Sequence, residues 1–185
     1  MLPRTRATSA TVAVLLVAGA SFAVASPAAP VRRGSGNVVT AAPSLNTQIA
    51  AGINAARVAT GLVRLRLSPA LGRAAASHSF EMARHGYFAH RSADGSSPWK
   101  RLARYYPSSG YTDWEVGETL LWSSPGTTAA DTVEEWLTSP EHRAILLDPA
   151  FRELGVAAVH ATSAGGEFGG DAVTIVTADF GARAR

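Results

Sequence analysis

The sequence predicts an α+β fold in which a small, mainly antiparallel sheet lies between two helical layers. Residues 45–149 carry apolar side chains mostly at helical spacing, and Ser-Pro pairs mark several helix starts. Two later runs, at about residues 154–160 and 172–180, are rich in Val, Ala, Ile and Thr and have Gly pairs between them, which is typical of a β-hairpin with a long, mobile loop. Both runs have adjacent apolar residues, so we expect strands covered on both faces. A sheet between helices satisfies both patterns.

The N-terminal 25 residues have the pattern of a secretory signal peptide. Two arginines precede an apolar run at about residues 10–24, and Ala-Val-Ala at residues 23–25 is a small-x-small cleavage pattern. We predict cleavage after Ala25 and an extracellular location, with retention of the run as a membrane anchor as the alternative. Residues 26–43 are rich in Pro, Ala, Gly and Ser and predict a flexible leader, which leaves residues 44–185 as one domain.

The composition of the mature chain shows a nearly balanced charge, no cysteine and no further apolar run long enough for a membrane span. Two of the 17 basic residues and none of the 14 acidic residues precede the predicted cleavage site, so the mature net charge is 15 minus 14, or +1. This balance gives no reason to expect a nucleic acid as partner. The chain has no cysteine, so a hydrophobic core must hold it together. No stretch after the signal peptide is apolar enough to span a membrane, and we expect a monomer.

The first two helices follow from spacing and punctuation. Residues 45–56 have the apolar pattern of a helix that Gly61 ends. Ser68-Pro69 begins the second helix, and Gly86 ends it. His78 falls within an apolar stripe of this second helix, so we predict a hydrogen-bonded core histidine there and not a metal ligand.

The middle of the chain predicts two more helices and a strand. Ser97-Pro98 begins a helix, and residues 116–122 have the composition of a strand in which Gly117 permits close backbone approach. Thr127 or Thr128 is expected to cap the next helix, and Thr128 with Asp131 three residues later resembles a capping box. Trp136 shares a helix face with apolar neighbours three and four positions away, so we predict that it is a core residue.

Two histidines and a carboxylate are the candidate site residues. We predict that Ser139 caps a further helix through its hydroxyl and that His142 lies near the start of this helix, where the helix dipole disfavours an imidazolium. A neutral imidazole suits metal binding or proton transfer, although a packing or surface role for His142 is the alternative. His90 follows the second helix, and Glu118 lies in the predicted strand. Two imidazoles and one carboxylate can bind zinc and leave positions open for water, but the long spacings do not enforce such a site.

Four separated segments occur in an order and spacing that resemble one protein family. They are GYFAHRSADGSSPWKRL at residues 86–102, VGETL at 116–120, WLTSPEHRAILLDPAFRELGVA at 136–157 and TADFG at 177–181. Together they resemble the CAP superfamily, which groups cysteine-rich secretory proteins, antigen 5 and pathogenesis-related-1 proteins. The similarity is greatest to its bacterial secreted branch, called SCP-like or YkwD-like. The resemblance covers about residues 45–181.

The resemblance implies a three-layer α-β-α sandwich with a large cleft. In the family, this cleft carries two histidines and two acidic residues and often binds a divalent metal, usually zinc. His90, Glu118 and His142 match three of these positions, and Ser139 stands where the family has the second acidic residue. Thr119 follows Glu118, where the family usually has an asparagine. Members are linked to defence, virulence, sterol or lipid binding, and cell-wall functions, and no common enzymatic activity defines them.

Two functional hypotheses follow. The first is a non-enzymatic extracellular binding module whose cleft holds a divalent metal and a cell-envelope, lipid-like or peptide ligand. The second is a zinc-dependent extracellular hydrolase in which zinc on His90, Glu118 and His142 activates water. The first is favoured because the chain has no Gly-x-Ser-x-Gly, no Cys nucleophile and no His-Glu-x-x-His motif. In addition, Glu118 cannot easily be both metal ligand and general base. The sequence assigns no catalytic residue and does not identify the ligand.

Overall fold

The computed structural model describes residues 36–185, so the predicted signal peptide and most of the predicted leader lie outside the described residues. The helices and strands of the described part are, in chain order, β1 (Val39–Ala41), α1 (Pro43–Ala59), β2 (Arg66–Leu67), α2 (Pro69–His85), α3 (Pro98–Tyr105), β3 (Asp113–Ser123), α4 (Ala129–Thr138), α5 (Pro140–Leu146), β4 (Glu153–Ala164) and β5 (Asp171–Ala184). Among these helices, none has the length and apolar character needed to cross a membrane.

One mainly antiparallel sheet is built around the C-terminal hairpin of β4 and β5. β5 lies between β4 and β3, and its antiparallel register with β3 runs from Asp113 opposite Ala184 to Ser123 opposite Thr174. On its other side, β4 pairs with β1 in the antiparallel sense and with β2 in the parallel sense. In the described part of the chain, no strand pairs with the outer edge of β3.

The sheet separates two helical layers, which confirms the predicted three-layer α-β-α sandwich. Val176 and Phe180 of β5 belong to a core cluster with α1, α4 and α5. Val173 and Ile175 belong to a second cluster with α2. Successive residues of a strand point to opposite faces. Each strand of the hairpin is therefore covered on both sides, as its adjacent apolar residues predict.

Proline and glycine set the helix boundaries as the sequence predicts. α2, α3 and α5 each begin at the proline of a Ser-Pro pair, because proline has a helical φ and no N–H to satisfy. Gly86 ends α2 in the left-handed conformation with a φ of 69°. Oγ1 of Thr128 accepts a hydrogen bond from the Asp131 N–H at 3.2 Å and so caps α4.

Trp136 is a core residue and also protects the outer edge of β3. Its side chain is fully buried, and its Nε1–H donates to the Leu120 carbonyl oxygen at 3.1 Å. The indole therefore covers part of a strand edge that has no neighbouring strand in residues 36–185. The prediction that Trp136 is a core residue is confirmed. At Gly117 the close neighbour is a side chain and not the predicted backbone segment, because a Cβ there would lie 2.8 Å from the Phe151 ring.

The ordered domain begins before residue 44. Val39–Ala41, inside the predicted flexible leader, forms β1 and pairs with β4. The Val38 N–H donates to Oγ1 of Thr162 at 3.0 Å and extends this attachment. Pairing at a sheet edge uses backbone groups, so the Pro-, Ala- and Gly-rich composition did not reveal it.

The loop between β4 and β5 is docked, in contrast to the predicted mobile loop. It contains a 3-10 turn, Gly166–Phe168, and the Phe168 side chain is buried with its ring 5.3 Å from that of Trp122. The Glu167 N–H donates to the Gly86 carbonyl oxygen at 2.9 Å. The glycines at 165, 166, 169 and 170 give the loop its shape, but Phe168 anchors it in the core.

Candidate functional site

Glu118 is the centre of the candidate site. It lies on β3, and its side chain is 3% exposed. His90 Nδ1–H donates to Oε1 of Glu118 at 2.8 Å, and Nη2–H of Arg101 donates to Oε2. The structure therefore brings His90 and Glu118 together as the sequence predicts, and it adds Arg101.

Arg101 joins three parts of the site. It lies on α3 with a side chain that is 4% exposed, and its Nη1 donates to the His90 carbonyl oxygen and to Oγ of Ser92, both at 3.0 Å. One guanidinium therefore holds the His90 segment against Glu118. Sequence analysis did not identify Arg101, although it lies in the 86–102 segment that carries the family resemblance.

His78 supports the backbone next to His90. Its side chain is fully buried, and its Nε2–H donates to the carbonyl oxygen of Ala89 at 2.9 Å. Burial lowers the pKa of His78, which favours the neutral imidazole. The prediction of a hydrogen-bonded core histidine is confirmed, and its bond fixes the residue that precedes His90.

Asp179 is a second buried carboxyl group beside Glu118. The two residues are opposite each other in the register of β3 and β5, and Asp179 is fully buried. Neither Asp179 oxygen has a hydrogen-bond partner among residues 36–185. Burial, followed by the negative charge of Glu118, raises the pKa of Asp179 well above its usual value.

Glu118 has the opposite electrostatic balance. Burial on its own would raise its pKa, but the His90 hydrogen bond and the charge of Arg101 lower the pKa to about 2. These surroundings therefore favour the charged form of Glu118 and the protonated form of Asp179. An acidic residue within the otherwise apolar run of β5 was the available sequence signal for Asp179, because carboxyl groups are seldom fully buried without a partner.

His142 lies near His90 and Glu118 without a direct hydrogen bond to either of them. In the described part of the chain, no hydrogen bond links it to His90 or Glu118, and its buried Nδ1 has no partner. Burial lowers the pKa of His142, and the charge of nearby His90 lowers it further, while Glu141 raises it. The neutral imidazole expected from the helix dipole is thus favoured mainly by burial.

The prediction that the Ser139 hydroxyl caps α5 is wrong. Ser139 occupies the N-cap position, but its side chain makes no capping hydrogen bond. Its Oγ donates to Oε2 of Glu141 at 3.1 Å. A charged carboxylate is a strong acceptor, and it engages the hydroxyl in place of the helix N–H groups.

The donor set, as it stands, does not fit the metal that the family resemblance implies. Both oxygens of Glu118 are engaged, one of them by a cation, and Nδ1 of His90 is already bonded. The atoms that remain available to bind a metal are Nε2 of His90 and the nitrogens of His142. They belong to only two residues, whereas catalytic zinc sites use three protein ligands. Across residues 36–185, no group of three or more His, Cys, Asp or Glu side chains is arranged to hold a metal ion. Metal binding by His90, Glu118 and His142 stays a prediction.

The comparisons with known proteins identify this fold as a CAP domain. The model of the cysteine-rich secretory protein family, CAP, matches residues 51–180. This range covers most of the chain and every residue of the cluster. The chain therefore belongs to the CAP superfamily.

Relatives of the chain come from several bacteria. The uncharacterized protein YkwD of Bacillus subtilis is 28% identical over 139 residues, which are 73% of this chain and 52% of YkwD. An extracellular SCP-domain protein of Bacillus anthracis is 25% identical with a TM-score of 0.57 over 75% of this chain and 40% of that one. An outer surface protein of Borrelia burgdorferi, at 20% identity, shares the fold with a TM-score of 0.62 over 74% of this chain and 91% of its own. The chain spans about half or less of the curated relatives it matches.

Proposed function

We propose that this protein is a secreted binding module that takes up the acyl chain of a neutral cell-envelope lipid. The observation that carries the proposal is an apolar groove between α1 and α4. Its volume is about 470 Å³, and its lining residues are Gln48, Gly52, Ala129, Ala130, Val133, Glu134, Leu137 and Thr138. This volume lies within the range typical of small-molecule sites.

The groove is suited to a flexible hydrocarbon chain. Gly52 permits close approach of α1 to α4, because a Cβ there would lie 3.1 Å from Cγ2 of Val133, and it adds no side chain to the groove. Val133 and Leu137 supply apolar surface on the α4 side. Burying an acyl chain against these side chains removes its methylene groups from water, at about 0.8 kcal/mol for each one fully buried.

The polar lining residues favour an uncharged headgroup. Gln48 and Thr138 offer an amide and a hydroxyl to an ester or alcohol. Glu134 is exposed and places a carboxylate at the same groove, where it would repel an anionic headgroup. We therefore assign a neutral lipid, such as a monoacylglycerol, as the ligand class.

Titration with a fluorescent monoacylglycerol tests this function. We expect saturable binding at one site and weaker binding of the fatty acid with the same chain at neutral pH. Ala129→Trp should fill the groove and weaken binding at least about tenfold, since an indole displaces the chain. Ala51→Trp, on an exposed position of α1 outside the groove lining, is the matched control. Equal binding by the two variants, or no saturable binding by the wild type, would contradict the proposal.

Secretion is part of the proposal. It is supported by the predicted signal peptide and by similarity to an extracellular SCP-domain protein. A module outside the cell would meet envelope lipids directly, and the Bacillus anthracis relative is itself an extracellular protein.

One observation favours the hydrolase alternative. His90 is oriented by Glu118 through Nδ1, so its Nε2 is the ring nitrogen left to accept a proton. The test is hydrolysis of peptide and ester substrates by the purified protein and by His90→Ala. Activity that disappears in the variant would establish a hydrolase, and equal rates would reject a role for this pair in hydrolysis.

A further inference from the structure

The charges around Glu118 are already balanced by the chain itself. Its two oxygens are held by the His90 imidazole and the Arg101 guanidinium, and Glu118 and Arg101 are both almost fully buried. A buried carboxylate requires a counter-charge, which a metal ion or a basic side chain can supply. Here the basic side chain supplies it.

Arg101 is fixed in this position by further bonds. Its Nη1 donates to the His90 carbonyl oxygen and to Oγ of Ser92, so it cannot leave Glu118 without breaking contacts to the loop. A guanidinium has N–H donors and no acceptor, so it cannot serve as a metal ligand. Arg101 therefore places a cationic group at the position from which a metal would have to contact Glu118.

A divalent ion would meet two obstacles here. It would have to displace Arg101 from Oε2 of Glu118, and its charge would be repelled by that guanidinium across a poorly screened interior. Binding to His90 Nε2 and His142 alone would give only two protein ligands. Both obstacles originate in the same side chain, because Arg101 also holds Glu118 in place.

We propose that Arg101 is the built-in counter-cation of Glu118 and closes the cleft to divalent metals, so that its removal creates a metal site that the wild-type protein lacks. The inference is independent of the α1–α4 groove, because none of the cluster residues lines that groove. It makes Arg101 a specificity-determining residue within a cleft that the family resemblance associates with metal.

Cobalt(II) titration at neutral pH is the test, because visible d–d absorption reports coordination directly. The wild type should show no absorption that depends on His90. Arg101→Met and Arg101→Ala should each bind one equivalent, at least about 10- to 100-fold more tightly than the wild type. The gain should disappear in Arg101→Met combined with His90→Ala. Arg104→Ala is the matched control, because Arg104 is on the same helix with a side chain that is 58% exposed.

Each outcome decides the inference. One equivalent of cobalt in the wild type, lost in His90→Ala, would overturn it, as would folded Arg101 variants that bind no better than the Arg104 control. If the Arg101 variants fold only when cobalt is present during refolding, the metal has replaced the missing cation, and the inference is supported. If they do not fold under either condition, the wild-type titration decides alone.

Discussion

The charged form of Glu118 is favoured inside the protein because the His90 imidazole donates a hydrogen bond to one of its oxygens and the Arg101 guanidinium contacts the other. Asp179, on the neighbouring strand, has no such partner among the described residues, and burial raises its pKa and so favours its protonated form. Two carboxyl groups in one interior thus have their pKa values moved in opposite directions by their surroundings.

The raised pKa of Asp179 predicts a pH-dependent stability. Above about pH 4, an unfolded Asp ionises, whereas the raised pKa favours the protonated form of Asp179 in the folded protein. Its free energy of unfolding should therefore fall as pH rises, by up to about 1.4 kcal/mol per pH unit, until the raised pKa is passed. Asp179→Asn lacks this loss and should be more stable than the wild type at neutral pH.

Urea unfolding from about pH 4 to pH 7 checks this prediction. The stability difference between Asp179→Asn and the wild type should widen with rising pH. Asp171→Asn, at an exposed position whose side chain makes no hydrogen bond or ion pair within residues 36–185, should follow the wild type. Parallel profiles for all three proteins would show that Asp179 titrates normally.

Trp136 combines packing with a hydrogen bond, so its removal should be costly. Trp136→Ala leaves a cavity and exposes the Leu120 carbonyl oxygen, and we expect a loss of about 3–5 kcal/mol in free energy of unfolding. Trp99→Ala, which truncates a side chain that is 41% exposed, should cost far less. A loss below about 1 kcal/mol for Trp136→Ala in urea denaturation would contradict this packing.

The composition of the site could be predicted only in part. His90 and Glu118 stood out because imidazoles and carboxylates are recognisable functional groups and both lie in segments that carry the family resemblance. Arg101 did not, because an arginine in a helix is usually a solvated residue, and only the fold shows that it points inward. Its function depends on contacts between α3, β3 and the His90 loop, which no local pattern encodes.

Among the elements, the long and periodic ones were predictable, and the short ones were not. The helices and the three long strands have several apolar or punctuating residues each. β1 has three residues and β2 has two, and both exist because β4 offers a backbone edge to them. Strands this short are determined by their partner and carry no pattern of their own.

The N-cap positions of the consecutive helices α4 and α5 permit a direct comparison of a hydroxyl that caps with one that does not. Thr128→Ala should lose a capping bond and cost about 1 kcal/mol. Ser139→Ala should cost less than about 0.5 kcal/mol, because the Ser139 hydroxyl bonds to Glu141 and caps nothing. Thermal or urea unfolding of the two variants gives the order, and an equal or larger loss for Ser139→Ala would restore its role as a cap.

At the level of the whole molecule, the sequence predicts that the secreted form begins at Ser26. Mass spectrometry of the protein recovered outside the cells should give this N-terminus. Ala25→Leu should slow or prevent cleavage by removing the small residue at the cleavage site. An intact residue 1–25 segment on wild-type protein in the membrane fraction would instead establish a retained anchor.

The order of the strands has a consequence for how the chain folds. β4 and β5 are the last two strands in sequence, yet β1 and β2 pair only with β4, and β3 pairs only with β5, within residues 36–185. Val39 finds its partner at Ala161, so the pairing must close a loop of most of the domain. A chain that emerges from its N-terminus can form helices early, but it has no sheet to pack them on until residues beyond 153 are available. We therefore expect the sheet to assemble only after the residues of the final hairpin are available, so the long-range pairing of β1 with β4 should be a late step of folding.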